Sequence, residues 1–167
     1  MKEQKYKQLN DYMLESKNRS TTIKALHDIL PVIMMVFYPL QLVFLFINEG
    51  FKSEVFLKST FVPLGVFIIV TVLRLIINAK RPYEKLGYTP VVKKDTKGKS
   101  FPSRHTASAF IIAMAFLYIQ TSLGVIMLIL ASIIALTRVL SGVHYIRDVI
   151  GGALISIITG ILCFFLI

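Results

Sequence analysis

The sequence predicts an all-α integral membrane protein, a helical bundle of about five transmembrane helices, from its composition and from the pattern of its apolar residues. Of the 167 residues, 55% are hydrophobic and only 17% are charged, whereas about a quarter are charged in an ordinary soluble domain. The mean hydropathy is +0.70. The apolar residues fall in long runs, and about 20 such residues form a helix that crosses a bilayer. This composition excludes a soluble enzyme, a disordered chain and a disulfide-stabilised secreted module.

Five spans can be placed along the second part of the chain. We expect them at about residues 29–47, 55–77, 102–119, 123–140 and 143–167. Ser141 and Gly142 form the turn that ends the fourth span. With five spans, the N-terminal segment, the long polar loop 78–104 and the turn 140–148 lie on the same side of the membrane. We call this side the site face.

The first 28 residues differ from the rest, because they are polar and carry charges of both signs. Their apolar residues have rough helical spacing, which predicts an amphipathic helix lying on the membrane surface. The apolar run comes too late for a signal peptide. We therefore predict two parts, a polar amphipathic N-terminal segment 1–28 and a membrane-embedded domain 29–167.

The net charge of +10 arises from 19 Lys and Arg against 9 Asp and Glu. Basic loops beside anionic lipid headgroups explain this excess better than a nucleic-acid partner does. All of the Lys and Arg except Lys52 and Lys58 lie on the site face, so the positive-inside rule puts that face in the cytoplasm. The single Cys163 excludes an internal disulfide.

Two groups of polar residues lie at span ends on the site face. Arg74 and Arg81 are seven residues apart, which predicts that both project from the same side of one helix end before Pro82 stops the helix. Ser103 is placed to cap the third span, whose free N–H groups can hold a phosphate beside Arg104 and His105. Basic side chains that only anchor a span end, and an ordinary capped helix start, are the structural alternatives.

A third group follows at the turn between the last two spans. His144 and Asp148 have i, i+4 spacing, so the carboxylate can accept from one ring nitrogen and leave the other directed at a substrate. Arg138 precedes them. A structural histidine–aspartate pair is the alternative. Together the groups favour a bound phosphate dianion, with too few acidic ligands for Mg²⁺ or Ca²⁺ and too few His or Cys for structural zinc. We expect neither a metal nor a cofactor.

These three motifs resemble the phosphatidic acid phosphatase type 2 family, which includes lipid phosphate phosphatases and shares its site with vanadium haloperoxidases. The motifs are Arg-x6-Arg-Pro from Arg74, Pro-Ser-Arg-His from Pro102, and Thr-Arg-x5-His-x3-Asp from Thr137. The family pattern has Lys at the position of Arg74, often Gly at that of Arg104, and Ser at that of Thr137. The family also often has six spans, so this chain resembles a six-span core that lacks one N-terminal span.

The resemblance implies a role for each site residue. His144 would attack phosphorus and become a phosphohistidine, and Asp148 would orient it. His105 would protonate the leaving oxygen and then activate water. The phosphate oxygens would be held by backbone N–H groups and by the side chains of Arg74, Arg81, Ser103, Arg104 and Arg138.

The sequence therefore predicts a multi-pass protein of the cell membrane that hydrolyses a phosphorylated lipid without a metal. Phosphatidic acid, phosphatidylglycerophosphate and undecaprenyl pyrophosphate are the candidate substrates implied by the resemblance. A non-enzymatic protein that binds or transports lipid headgroups, and a structural membrane subunit, are the alternatives. The family usually carries its site outside the cytoplasm, against the charge count, so the sequence leaves the side open. It also leaves the oligomeric state open.

Overall fold

Helices and the loops between them make up the computed structural model, which describes residues 3–166. The first two residues of the predicted N-terminal segment and Ile167, the predicted end of the fifth span, lie outside this range. The helices, in order, are α1 (Glu3–Glu15), α2 (Lys17–Glu49), α3 (Glu54–Ile77), α4 (Pro82–Leu86), α5 (Arg104–Ile119), α6 (Thr121–Leu140) and α7 (Ile146–Gly160), which a π-helical stretch continues over Ile161–Leu166.

Four of these helices are long and apolar enough to cross a membrane. They are α2, the helix beginning at Glu54, α6, and α7 with its π-helical continuation. α5 is a shorter apolar helix of 16 residues. Large apolar side chains on the outer faces, such as Phe44 and Ile76, are exposed, as a lipid-facing surface requires. The predicted all-α membrane bundle is confirmed, with four long apolar helices and a fifth shorter one.

Two predicted helix starts are displaced. α2 begins at Lys17 and not near Ile29, because residues 17–28 contain neither Gly nor Pro and nothing interrupts the helix before the apolar run. The chain breaks at Ser16 instead, which has extended backbone angles. α7 begins at Ile146 and not near Val143, so the preceding turn is longer than predicted.

α5 lies at the centre of the bundle and packs against α2, α3, α6 and α7. On one side Ala113 packs with Met34 of α2 and Ile134 of α6. On another side Ile111 packs with Val70 of α3. Burial of an apolar helix on all sides removes its need to match the bilayer by itself, which is why a short helix suffices here.

α7 approaches the start of α5 closely. A Cβ atom added to Gly152 would lie 2.6 Å from the carbonyl oxygen of Ser103. One turn further along, the hydroxyl of Ser156 donates to the carbonyl of Ala107 at 2.7 Å. The small residues on this face of α7 therefore set the distance between the two helix starts on the site face.

α1 packs against the loops of the site face. The Tyr6 ring meets the Tyr145 ring edge to face at 5.0 Å, and the Tyr6 hydroxyl accepts from the N–H of Ile146 at 3.2 Å. The buried Asn10 side chain donates to the carbonyl of Thr89 and accepts from a second backbone group nearby. α1 thus braces the turn before α7. Its predicted position on the membrane surface stays a prediction.

We predict that Gly152→Ala destabilises the protein by roughly 1–3 kcal/mol, since the added methyl group forces α7 away from the backbone of Ser103. Thermal unfolding in detergent measures this loss. Gly65→Ala is the matched control, because nothing lies within 4 Å of its added Cβ. It should leave stability unchanged or raise it by up to about 1 kcal/mol through helix propensity. Equal stability of the two variants would contradict the close approach.

Candidate active site

Three buried arginines from three segments converge on the site face. Arg74, in the last turn of α3, donates from Nη1 to the carbonyl of Pro102 at 3.0 Å. Arg81 donates from Nε to the carbonyl of Gly98 at 3.1 Å and from Nη1 to that of Val143 at 3.3 Å. The exposed fractions of Arg74 and Arg81 are 9% and 2%. Arginine donates only, and the acceptors here are uncharged carbonyl groups.

Arg81 does not share a helix with Arg74, contrary to the prediction from their spacing. α3 ends at Ile77, Asn78 takes a left-handed conformation with φ 42°, and Pro82 begins α4 where it was expected to stop α3. The carboxylate of Glu84 accepts from the N–H of Arg81 at 2.8 Å. This bond holds Arg81 at the start of α4, from where its side chain reaches the site.

Arg138 is the third buried arginine, with 2% of its surface exposed. It lies in the last turn of α6, and its partner is His27 of α2. No motif in the sequence points to His27. Thr137, which replaces the family's serine, donates its hydroxyl to the carbonyl of Ile134 within α6. That hydroxyl therefore forms a hydrogen bond within its own helix and not with another site residue.

His144 and Asp148 form the predicted pair. His144 Nδ1 lies 3.4 Å from Asp148 Oδ2, and both side chains are at most 1% exposed. His144 precedes α7, so the two residues meet across the helix start. The same carboxylate oxygen accepts from the hydroxyl of Ser100 at 2.5 Å and from the N–H of Tyr145 at 2.9 Å. Three donors thus fix Asp148, and Nε2 of His144 remains for a substrate.

The protonation state of His144 suits a nucleophile. Burial lowers the pKa of His144 to about 4, the hydrogen bond to Asp148 acts in the opposite direction, and the charge of Arg81 lowers it further. The ring is therefore neutral at neutral pH. With its Nδ1 proton directed at the carboxylate, the lone pair lies on Nε2.

The start of α5 carries the remaining predicted residues. Ser103 is fully buried, and its N–H donates to the carbonyl of Asp148 at 2.8 Å. Its hydroxyl accepts from Thr106 at 3.0 Å and caps no helical N–H, contrary to the predicted cap. The first backbone bond of the helix runs from Ala107 to Ser103. The N–H groups between them, which include that of His105, have no acceptor within the helix.

Arg104 and His105 occupy the outer edge of this helix start. His105 is half-buried and Arg104 is exposed, with its guanidinium group 5.5 Å from the centroid of the Phe67 ring. Lys94, from the loop between α4 and α5, adds a cation that sequence reasoning missed among many loop lysines. Burial lowers the pKa of Lys94 to about 8, and so do the charges of the arginines around it, which are Arg81, Arg138, Arg74 and Arg104.

An apolar groove leads away from this edge. A cavity of about 230 Å³ is lined by His105 and Arg104 and by apolar residues of α2, α3, α5 and α6. A second cavity of about 330 Å³ continues it between α2 and α3. The two share the lining residues Phe67, Ser108 and Ile112. The groove therefore joins the predicted site to the apolar interior between two spans.

Three known proteins are similar to this chain. Bacitracin transport permease protein BcrC of Bacillus licheniformis is 28% identical over 135 residues, 78% of this chain and 65% of that protein. Undecaprenyl-diphosphatase BcrC of Bacillus subtilis (strain 168) is 37% identical over 65 residues, 39% of this chain and 34% of that protein. The chain thus spans less than two thirds of the length of these curated relatives. The crystal structure of LpxE of Aquifex aeolicus superposes with a TM-score of 0.74 at 27% identity, over 96% of this chain and 92% of that one.

The family model described as the PAP2 superfamily matches residues 55–167. That range includes α3 except its first residue, all of α5, α6 and α7, and all three sequence motifs. Because the match covers most of the chain, the chain belongs to the PAP2 superfamily.

Proposed function

We propose that this protein is a membrane lipid phosphatase that hydrolyses a phosphoester or diphosphate bond through a phosphohistidine at His144. The buried pair of His144 and Asp148 carries the proposal. The carbonyl of Val143, the residue before His144, accepts from Arg81. The N–H of His144 itself donates to the carbonyl of Arg138 at 3.2 Å. The charges of Arg81 and Arg74 both act on the His144 ring. A neutral, oriented imidazole beside these buried guanidinium groups is suited to attack on a phosphate that they bind.

In the first step, the lone pair of His144 Nε2 forms a bond to phosphorus, and the bond from phosphorus to the lipid oxygen breaks. His105 gives a proton to that leaving oxygen. Burial and the charge of Arg138 lower the pKa of the His105 ring, so in this proposal the ring is protonated only once the anionic substrate lies beside it. Asp148 balances the positive charge that develops on the His144 ring. The dephosphorylated lipid leaves, and the phosphoryl group stays on His144.

In the second step, neutral His105 takes a proton from a water molecule, whose oxygen attacks phosphorus. The bond from phosphorus to Nε2 breaks, inorganic phosphate forms, and His144 regains its neutral ring. Arg74, Arg81 and Arg138 supply positive charge to the phosphate oxygens in both steps. Within residues 3–166 no group of three or more His, Cys, Asp or Glu could hold a metal ion, and the proposed chemistry needs none.

Among the candidate lipids, we propose a polyprenyl diphosphate as the preferred substrate. One relative bears the name undecaprenyl-diphosphatase, and the groove between α2 and α3 provides an apolar surface for a long chain. Arg104 and Lys94 supply cations beyond the three buried arginines, which suits a second phosphate group. Phosphatidic acid and phosphatidylglycerophosphate are the competing substrates.

The substrate proposal predicts a rank order. Purified protein in detergent with EDTA should release phosphate from undecaprenyl diphosphate with a higher kcat/KM than from phosphatidic acid or phosphatidylglycerophosphate. Neutralising Lys94 by Lys94→Gln should narrow this preference, because the second phosphate loses a cation. A preference for either monoester would contradict the diphosphate assignment and leave the phosphatase assignment intact.

The two site histidines should fail in different ways. His144→Ala should form no phosphoenzyme from any substrate, since the attacking nitrogen is gone. His105→Ala should lose about 10²–10⁴-fold on a lipid phosphate and less on an aryl phosphate, whose leaving group needs little protonation. Asp148→Asn should resemble a milder His144 defect, because the ring loses its orienting charge. Rapid-quench detection of acid-labile phosphoenzyme measures all three.

Each histidine variant is first shown to be folded by its thermal unfolding in detergent. Phosphoenzyme in His144→Ala but none in His105→Ala would reverse the two roles. Near-normal rates in all three variants would favour the non-enzymatic protein that binds lipid headgroups.

Filling the groove should discriminate between lipid and soluble substrates. Ser108→Phe places a ring where the two cavities join, so kcat/KM for a long-chain lipid phosphate should fall about 10-fold or more. Aryl phosphate hydrolysis should change far less. Ser132→Phe is the matched control, because Ser132 is exposed on α6 away from the groove. Equal loss on both substrates would show that the variant damages the site and would not support a lipid tail in the groove.

A further inference from the structure

His27 is a buried histidine that the proposed reaction does not use. It lies on α2, outside the range matched by the family model, and only 5% of its surface is exposed. Its partner is Arg138. Nη1 of Arg138 lies 2.5 Å from His27 Nε2 and 3.2 Å from Nδ1, while Nη2 donates to the His27 carbonyl at 3.0 Å.

The donor set of arginine fixes the state of the histidine ring. A guanidinium group has five N–H donors, no acceptor, and a permanent charge. The ring nitrogen that faces Nη1 must therefore carry a lone pair, so His27 is neutral. The side chain and the backbone of one residue together hold both terminal nitrogens of Arg138.

The neutrality of this partner matters for anion binding. A carboxylate is the usual partner of a buried arginine, but it would cancel the charge that a phosphate needs. An imidazole and a carbonyl hold the guanidinium group without an ion pair, so its charge remains available to a phosphate. Arg74 and Arg81 are held in the same way, by backbone carbonyls.

Arg138 retains donors that the protein does not use. Its Nε atom is buried and has no hydrogen-bond partner among the described residues. An unpaired buried donor costs free energy comparable to a lost hydrogen bond, so the arrangement favours an anionic ligand that accepts from it. The carbonyl of Arg138 also accepts from the N–H of His144, which ties the last turn of α6 to the turn that carries the proposed nucleophile.

From this geometry we propose that His27 is a positioning residue, a neutral acceptor on α2 that directs the free donors of Arg138 at the substrate phosphate. The proposal rests on the proposed function, since it assumes that Arg138 binds phosphate. It gives α2, which lies outside the three sequence motifs, a role in headgroup binding.

Three substitutions of His27 test separately whether an acceptor is needed at this position and whether that acceptor must be uncharged. His27→Gln keeps a neutral acceptor, His27→Glu keeps an acceptor of similar shape but adds a negative charge, and His27→Leu removes the acceptor. Orthovanadate is the probe, because a trigonal-bipyramidal oxyanion mimics the transition state. Its affinity is measured by the vanadate-dependent rise in unfolding temperature, which needs no turnover, and alongside it the kcat/KM for aryl phosphate.

We expect His27→Leu and His27→Glu to weaken vanadate binding and kcat/KM by about 10- to 100-fold, the scale of a misplaced binding group. His27→Gln should stay within a few-fold of the unsubstituted protein. In an Arg138→Ala background, His27→Leu should cause no further loss, because two residues that act through one contact are not additive. Leu30→Ala is the control for packing, as Leu30 is buried on α2 one turn away. It should lower stability without weakening vanadate binding.

The positioning role is overturned if His27→Leu binds vanadate normally, or if its loss persists undiminished without Arg138. If His27→Leu does not fold, the test compares His27→Gln with His27→Glu. Equal vanadate affinity of these two variants overturns the proposal. Vanadate binding that depends on His27 in a protein that releases no phosphate would refute the proposed function and leave the positioning role standing. No vanadate-dependent shift in the unsubstituted protein would refute both.

Discussion

The site depends on three buried guanidinium groups that have no carboxylate partner. Burying an unpaired charge costs free energy, so each group must be held by well-placed acceptors. Carbonyl oxygens fill that role for Arg74 and Arg81, and a carbonyl with an imidazole fills it for Arg138. Within residues 3–166 none of the three forms an ion pair. The positive charge is therefore built into the fold before any anion binds.

This requirement explains why the site face is assembled from so many segments. The acceptors belong to Gly98 and Pro102 in the long loop, Val143 before α7, and His27 on α2. One hydrogen bond ties the orienting residue of the proposed nucleophile to the start of α5, since the carbonyl of Asp148 accepts from the N–H of Ser103. The missing side chain of Gly152 lets the two helices come close enough for that bond. The close approach of α7 to α5 thus determines both the packing of the bundle and the geometry of the site.

The sequence predicted the parts of this arrangement that have a periodic or spaced signal. Long apolar runs gave the all-α bundle, and the spacing of His144 and Asp148 gave their contact. The prediction from spacing that Arg81 shares a helix with Arg74 was wrong. Asn78, in a left-handed conformation, ends α3 before it reaches Arg81. Ser100 and His27 carry no signal at all, since a lone serine in a loop and a lone histidine on an amphipathic helix have no partner within a few residues. Their partners are 48 and 111 positions away, and only the fold brings them together.

α2 is the element that joins the two halves of the proposed lipid substrate. In its first half, His27 contacts Arg138, the proposed phosphate ligand. One to two turns later Pro31, Met34 and Met35 line the groove proposed for the apolar chain. In the proposed complex, headgroup and tail therefore lie along one continuous helix that precedes the range matched by the family model. The proposed chemistry resides in α5, α6 and α7 with their loops, whereas the proposed contacts of α2 are with both ends of the lipid. A change in α2 alone can alter which lipid is bound while the nucleophile and its partners stay in place.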